Sequence, residues 1–355
     1  MRNDYTKQDL IKMVHNLRVT IANGLKEDAN DEEIAQMRLF LDGSGDELNQ
    51  FLEGLVDDEK RGTMKKDTFD MIIRNNVLKK TGENCFGYTV SDTAKKYDTY
   101  YSNQAFDAFI NKMKTSIYKE AFCAYDCGKG GELQEHTGRY GKMPPKMASV
   151  ASSSRFCFLA LKDGAHALGG TGEVVFEHEC RITGISGTAP QLDAFVPNEN
   201  IYVEVKCHEI FDSHRVVMKK KYWNLIYGET NKFGLSPESE LSADTFEIPL
   251  SVFGITKKHS MFDIKQFLCH LLGVDAQSGS PKKLVYLFFK PKSTNKDEQK
   301  ELDEVFCNLQ CEIAAIFQSE PIRSFCQSSN ITVSAVAENS DIMEPLTAAN
   351  MIQLY

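Results

Sequence analysis

Two periodicities divide this chain. Between residues 172 and 209 apolar and polar side chains alternate every second position, whereas in most other segments the apolar positions recur every three or four residues. In IYVEVKCHE (201–209), Ile201, Val203, Val205 and Cys207 share one face, and Tyr202, Glu204, Lys206 and His208 share the other. The run PQLDAFVPNEN (190–200) alternates too and closes on Pro-Asn-Glu-Asn, a turn signal. It is therefore expected to fold back antiparallel beside 201–209, bringing Asp193 near Glu204 and Lys206. A third strand is predicted in VVFEHECRI (174–182), with Glu177 and Glu179 two apart and hence on one face.

Helical spacing marks EEIAQMRLFL (32–41), DELNQFLEGLV (46–56), KDTFDMIIRNNVL (66–78) and the stretch 99–125. These segments predict a helical N-terminal region over 1–126. Five glycines and two prolines in CGKGGELQEHTGRYGKMPPK (127–146) break the pattern, so 127–145 reads as a Gly/Pro-rich linker, more often a plain connector than a cover over a substrate groove. Helices are then expected in 146–162, 261–274 and 296–317, with a strand in KKLVYLFFK (282–290) and a turn followed by one further alternating strand in PIRSFCQSSNITVSAVAENS (321–340). The second domain is placed at 146–340, and 341–355 is a tail.

Composition narrows the class. With 355 residues, 42% hydrophobic and 26% charged, the chain is long enough to bury its own core. No apolar run reaches the eighteen or so residues that span a bilayer, and the opening residues lack a signal-peptide core, so a cytoplasmic protein without membrane contact is expected. Ten scattered cysteines fit free thiols in a reducing compartment. Cys307 and Cys311 fall one turn apart on a predicted helix, where small buried residues rather than zinc ligands are expected. The formal charge of −9 argues mildly against a protein that wraps nucleic acid, yet leaves room for an acidic metal site with a local basic rim. Rim candidates are Lys219-Lys220-Lys221, Lys257-Lys258 and Lys282-Lys283.

The chemistry points the same way. Two carboxylates meeting in a half-buried site repel each other, and an oxygen-loving cation such as Mg²⁺ relieves that repulsion. An ammonium beside them orients an attacking water or stabilises phosphoryl charge. The bland alternative for Glu204 and Lys206 is a cross-strand ion pair worth about 0.2–1 kcal/mol.

An acid, about ten residues, then acid-x-Lys on an apolar strand resembles the PD-(D/E)XK nuclease superfamily, with Asp193 first and Glu204-Val205-Lys206 as the triplet. The order strand, strand, helix, strand over roughly 146–290 is similar to that superfamily, and Gln266 followed by His270 resembles the Gln-x-x-x-Tyr element of its RecB-like members. A Ser-rich helix, an F-E-x-E strand, then Asp and E-V-K also look like a group of bacterial restriction endonucleases. The resemblance implies an α/β fold: a restriction-endonuclease-like core whose mixed central sheet is flanked by helices, plus the helical N-terminal domain. It implies Mg²⁺ (or Mn²⁺) on Asp193, Glu204 and the Val205 carbonyl, with Lys206 and Gln266 completing the catalytic set. The helix 146–162 lacks the glutamate the superfamily usually carries there, so Glu177 or Glu179 is taken as a migrated third acid. Expected function is hydrolysis of DNA phosphodiester bonds, in restriction or genome defence, with a homodimer as the arrangement that cuts both strands. The alternative is an inactive nuclease-fold module that binds nucleic acid or protein. Replacing Lys206 by alanine is expected to abolish cleavage while leaving folding nearly intact.

Overall fold

The computed structural model describes residues 64–91, 94–127, 131–138, 141–168, 170–237 and 244–336. The helices expected at 32–41 and 46–56, and the tail 341–355, lie outside the described residues.

The chain enters with α1 (Lys66–Thr81), the hairpin β1 (Phe86–Thr89) and β2 (Lys96–Tyr101), α2 (Asn103–Thr115) and α3 (Lys119–Cys127). A short hairpin, β3 (His136–Gly138) and β4 (Gly141–Met143), leads to α4 (Ser153–Leu161). The central strands follow: β5 (Val175–Glu179), β6 (Gln191–Val196) and β7 (Ile201–Lys206). Next come the pair β8 (Val216–Lys219) and β9 (Thr245–Ile248), with the single turn α5 (Trp223–Ile226) between them, and then α6 (Ile264–Asp275). The described chain closes with β10 (Lys282–Phe288), α7 (Lys296–Gln318), α8 (Glu320–Ser329) and β11 (Ile331–Val336).

This is a mixed α/β fold around a five-stranded mixed sheet of order β11-β10-β7-β6-β5. The turn at Pro197–Asn200 makes β6 and β7 antiparallel, as does the connection between β5 and β6. Strands β7, β10 and β11 run parallel, and parallel neighbours need long crossovers. Helix α6 lies within the first crossover, and α7 with α8 forms the second.

Helices cover both faces. On one, Phe158 of α4 packs on Phe176 at 5.3 Å, while Phe156 of α4 and Phe69 of α1 meet Phe289 at 5.0 and 6.3 Å. On the other, Phe262 and Phe267 of the α6 region pack on Tyr286 at 4.9 and 5.8 Å, and Phe317 of α7 stacks on Phe267 at 5.1 Å. Side-chain caps start the helices that matter here. Ser152 accepts the Arg155 amide at the head of α4 (3.1 Å), and Asp263 accepts the Gln266 amide at the head of α6 (2.9 Å).

Two expectations need correction. Residues 99–101, expected to open a helix, instead end the strand β2: the alternating aromatic and Thr positions of KYDTYY pair with FGYT. Nor do residues 64–126 and 131–145 form a separate helical region and a bare linker, since both belong to the same compact unit as the sheet. Tyr101 carries the Arg155 guanidinium at 4.7 Å, Phe122 and Tyr125 pack on Phe158, and the Met147 amide donates to the Glu132 carbonyl. Among the described residues no helix is long and apolar enough to cross a membrane.

Candidate functional site

The sheet register assembles the acids. Phe176 lies opposite Ala194 and His178 opposite Leu192, so Glu177 faces Asp193. Ala194 lies opposite Val203, so Asp193 faces Glu204 one step further, and Glu204 is the partner of Tyr286 on β10. Three carboxylates therefore stand in one row across β5, β6 and β7. The β6–β7 ladder ends at the Ala194–Val203 pair. Beyond it the Asp193 carboxylate itself accepts the Val205 amide at 2.7 Å, so the two strands part where the acids sit. The Val205 side chain is buried, leaving its backbone to meet Asp193.

Lys206 donates to Glu204 Oε1 and to Gln266 Oε1, each at 2.7 Å, and the Gln266 amide donates to Glu204 Oε1 at 3.0 Å. The Asp263 cap fixes the first turn of α6 and so aims Gln266 at this triangle. One turn on, buried His270 bonds the Tyr286 hydroxyl at 2.9 Å, with its other ring nitrogen 3.8 Å from Glu204. The sequence-predicted Asp193, Glu204, Lys206 and Gln266 are thus brought together.

Glu177 and Glu179 separate. Glu177 has φ +55°, a left-handed conformation that a non-glycine residue adopts only under constraint, and it interrupts the alternation of β5. Phe176 stays against Phe158 on the α4 face, while His178 stacks on Phe195 at 4.4 Å. Glu177 remains beside the acids and accepts from Gln191 at 2.7 Å, whereas exposed Glu179 pairs with Arg181 at 2.9 Å outside the site. Of the two candidate third acids, only Glu177 lines the cleft.

That cleft encloses about 450 Å³ and is lined by Asp193, Glu204, Glu177 and Gln266, together with residues sequence reasoning did not single out. Foremost is Glu132, buried, which accepts from Ser154 at 2.7 Å and from Lys146 at 3.2 Å. It reaches the acids from the glycine-rich segment, supplying a carboxylate that α4 lacks. His208 and Glu209, just beyond β7, line another part of the wall. Two expected rim lysines are engaged elsewhere: buried Lys282 donates to the Asp275 carbonyl, and Lys221 to the Ser186 carbonyl. Cys307 and Cys311 are exposed on α7 rather than buried.

The electrostatics follow from this crowding. Burial first, then the Glu204 charge, drives the Asp193 carboxyl well above its ordinary range despite Lys206 and the Val205 amide. Burial and Glu132 push Glu177 up to about 7. Burial disfavours the Lys206 ammonium, but Glu204, Glu209 and Asp193 together outweigh it and hold the lysine more firmly protonated than usual. Burial depresses His270. An all-oxygen donor set whose members hinder one another's ionisation suits a hard divalent cation. As the side chains stand, no group of three or more His, Cys, Asp or Glu among the described residues encloses a metal ion. Lys206 and Gln266 occupy Glu204 Oε1, and the Val205 amide occupies Asp193 Oδ2.

Comparison with known proteins adds no relative: no family model matches the chain, and neither a curated protein nor a solved structure matches it.

Proposed function

We propose that this chain is a divalent-cation-dependent nuclease of the PD-(D/E)XK kind, hydrolysing DNA phosphodiester bonds. The observation that carries the reading is the parting of β6 and β7 at Asp193 and Glu204, with Lys206 locked against Glu204 by Gln266. The order α4, then β5, β6 and β7, then α6 and β10 also agrees with a restriction-endonuclease-like core. Asp193, Glu204 and the Val205 carbonyl would hold Mg²⁺ or Mn²⁺, with Glu177 or Glu132 as the further carboxylate. When bound, the cation supplies Lewis acidity toward the phosphate and acidifies water. Lys206, fixed and protonated, orients the attacking water and faces the developing phosphoryl charge. Gln266 sets the lysine's direction. Lys146 and the serines at the head of α4 give the cleft its donors toward phosphate oxygens. Restriction or genome defence is the role this activity would serve.

A second reading, a nuclease-fold module that binds nucleic acid or protein without cutting, draws on the closed Glu204–Lys206–Gln266 triangle, whose polar groups already satisfy one another. Calorimetric titration with Mg²⁺ and Mn²⁺ separates the two. The nuclease requires a cation site that disappears in Asp193→Asn. Absence of any such site in the parent favours the module.

A further inference from the structure

Cleaving a phosphodiester requires a proton for the departing oxygen, and the Lys206 ammonium is committed to Glu204 and Gln266 at 2.7 Å each. A histidine held by a carboxylate stands in the same cleft. His208 follows β7 in a tight turn at His208–Phe211. The turn is braced by Glu209, which accepts the Cys207 amide at 2.7 Å, and by Phe69 of α1 against Phe211 at 5.2 Å. Also from α1 comes Asp70, its side chain only 9% exposed, whose Oδ1 lies 3.1 Å from His208 Nδ1.

A buried carboxylate accepting from Nδ1 keeps the proton there, so Nε2 is the ring atom that gains and loses one. No hydrogen bond joins that atom to another of the described residues, and the His208 side chain is 20% exposed. His208 lines the cleft that holds Asp193, Glu204, Glu177 and Gln266. Helix α1 packs on one sheet face and α6 on the other, so Asp70 and Gln266 steady His208 and Lys206 from opposite faces. Neither of two neighbouring histidines serves: His270 is buried against Tyr286 outside the cleft lining, and the His136 Nδ1 is buried without a carboxylate to orient it.

We infer that His208 is the general acid for the leaving group, with Asp70 as its positioning residue; this rests on the phosphodiester-cleaving reading above. The water oxygen bonds to phosphorus as the bond to the leaving oxygen breaks. The leaving oxygen keeps the electron pair and takes the proton from His208 Nε2. The proton given up by the water passes to solvent, from which Nε2 is recharged, so the sum is hydrolysis and nothing else is consumed.

The test uses a DNA duplex and its counterpart in which the leaving oxygen, identified from the product termini, is replaced by sulfur, since a thiolate departs without a proton. His208→Ala should slow the ordinary duplex by about 100-fold or more and the sulfur-bridged duplex by no more than about threefold. Asp70→Asn should move the same way by about tenfold, and ¹⁵N spectra of the metal-free parent should show the His208 ring protonated on Nδ1, a preference weakened in that variant. Equal losses on both duplexes, no loss on either, or a ring protonated on Nε2 overturns the assignment. If the parent cuts neither duplex, the phosphodiester reading itself fails and takes this inference with it. If the parent cuts both and Lys206→Ala cuts neither, that reading stands and His208 is judged on the sulfur contrast alone.

Discussion

Replacing Glu177 by glutamine should stabilise the metal-free protein at neutral pH, an unusual direction for a change in a functional cleft. Burial and the neighbouring Glu132 move this carboxyl from its ordinary 4.5 to about 7, so the folded protein keeps a proton there that the unfolded chain has released. At roughly 1.4 kcal/mol per pH step, that displacement corresponds to about 3 kcal/mol. The sign follows from linkage. Because the folded value is the higher one, the stabilisation is fully present below pH 4.5 and is lost as the pH rises through about 7. Glutamine keeps the size and carries no charge to desolvate, so Glu177→Gln should match the parent at pH 4.5 and exceed it by up to about 3 kcal/mol at pH 7.5 and above. Urea denaturation in EDTA at the two pH values measures this from the midpoint shift at constant slope. A variant equal to or weaker than the parent at pH 7.5, or one equally displaced at both pH values, would refute the reasoning. Added Mg²⁺ should narrow the gap, because only the parent offers the full carboxylate set and binding to the folded state stabilises it.

Lys206→Ala should shift stability the opposite way: it leaves Glu204 and Asp193 buried without their cation, a loss of roughly 3 kcal/mol in EDTA at pH 7.5 by urea denaturation. This revises the expectation that folding would be nearly untouched, and Mg²⁺ should restore part of the loss. Asp263→Ala removes the cap that holds the Gln266 amide and should cost about 1 kcal/mol by the same assay. Arg155→Met should cost about 3 kcal/mol or more in thermal or urea unfolding, because the buried guanidinium donates to the carbonyls of Met147, Ser149 and Val150 while lying on Tyr101.

The parts of the site legible in the sequence are those that follow from local periodicity. Alternation placed Glu204 and Lys206 on one side of a strand and the Pro-Asn-Glu-Asn turn folded Asp193 back beside them, whereas Gln266 at the head of α6 was marked by the family resemblance and not by spacing. What stayed hidden depends on departures from periodicity or on distant contacts. The positive φ at Glu177 breaks the strand rule that assigned it the same environment as Glu179, and no residue type announces that break. Glu132 lies in a segment whose glycines signal a connector, and only its bonds to Ser154 and Lys146 make it part of the cleft. The pairing of Asp70 with His208 joins residues 138 apart in the chain, beyond any spacing argument. The strand β2 was obscured because its aromatic positions also fit a helical spacing with the helix that follows.

The central claim, that Asp193, Glu204 and Lys206 form a cation-dependent centre for cutting phosphodiesters, is tested most directly by cleavage itself. Purified protein is incubated with supercoiled plasmid and with linear single- and double-stranded DNA in Mg²⁺, Mn²⁺ and EDTA, beside Lys206→Ala. The account predicts nicking or degradation that requires the cation and disappears in the variant, at a temperature where unfolding assays show both proteins folded. Intact DNA in every parent reaction, or cleavage that persists in EDTA or in Lys206→Ala, would contradict it.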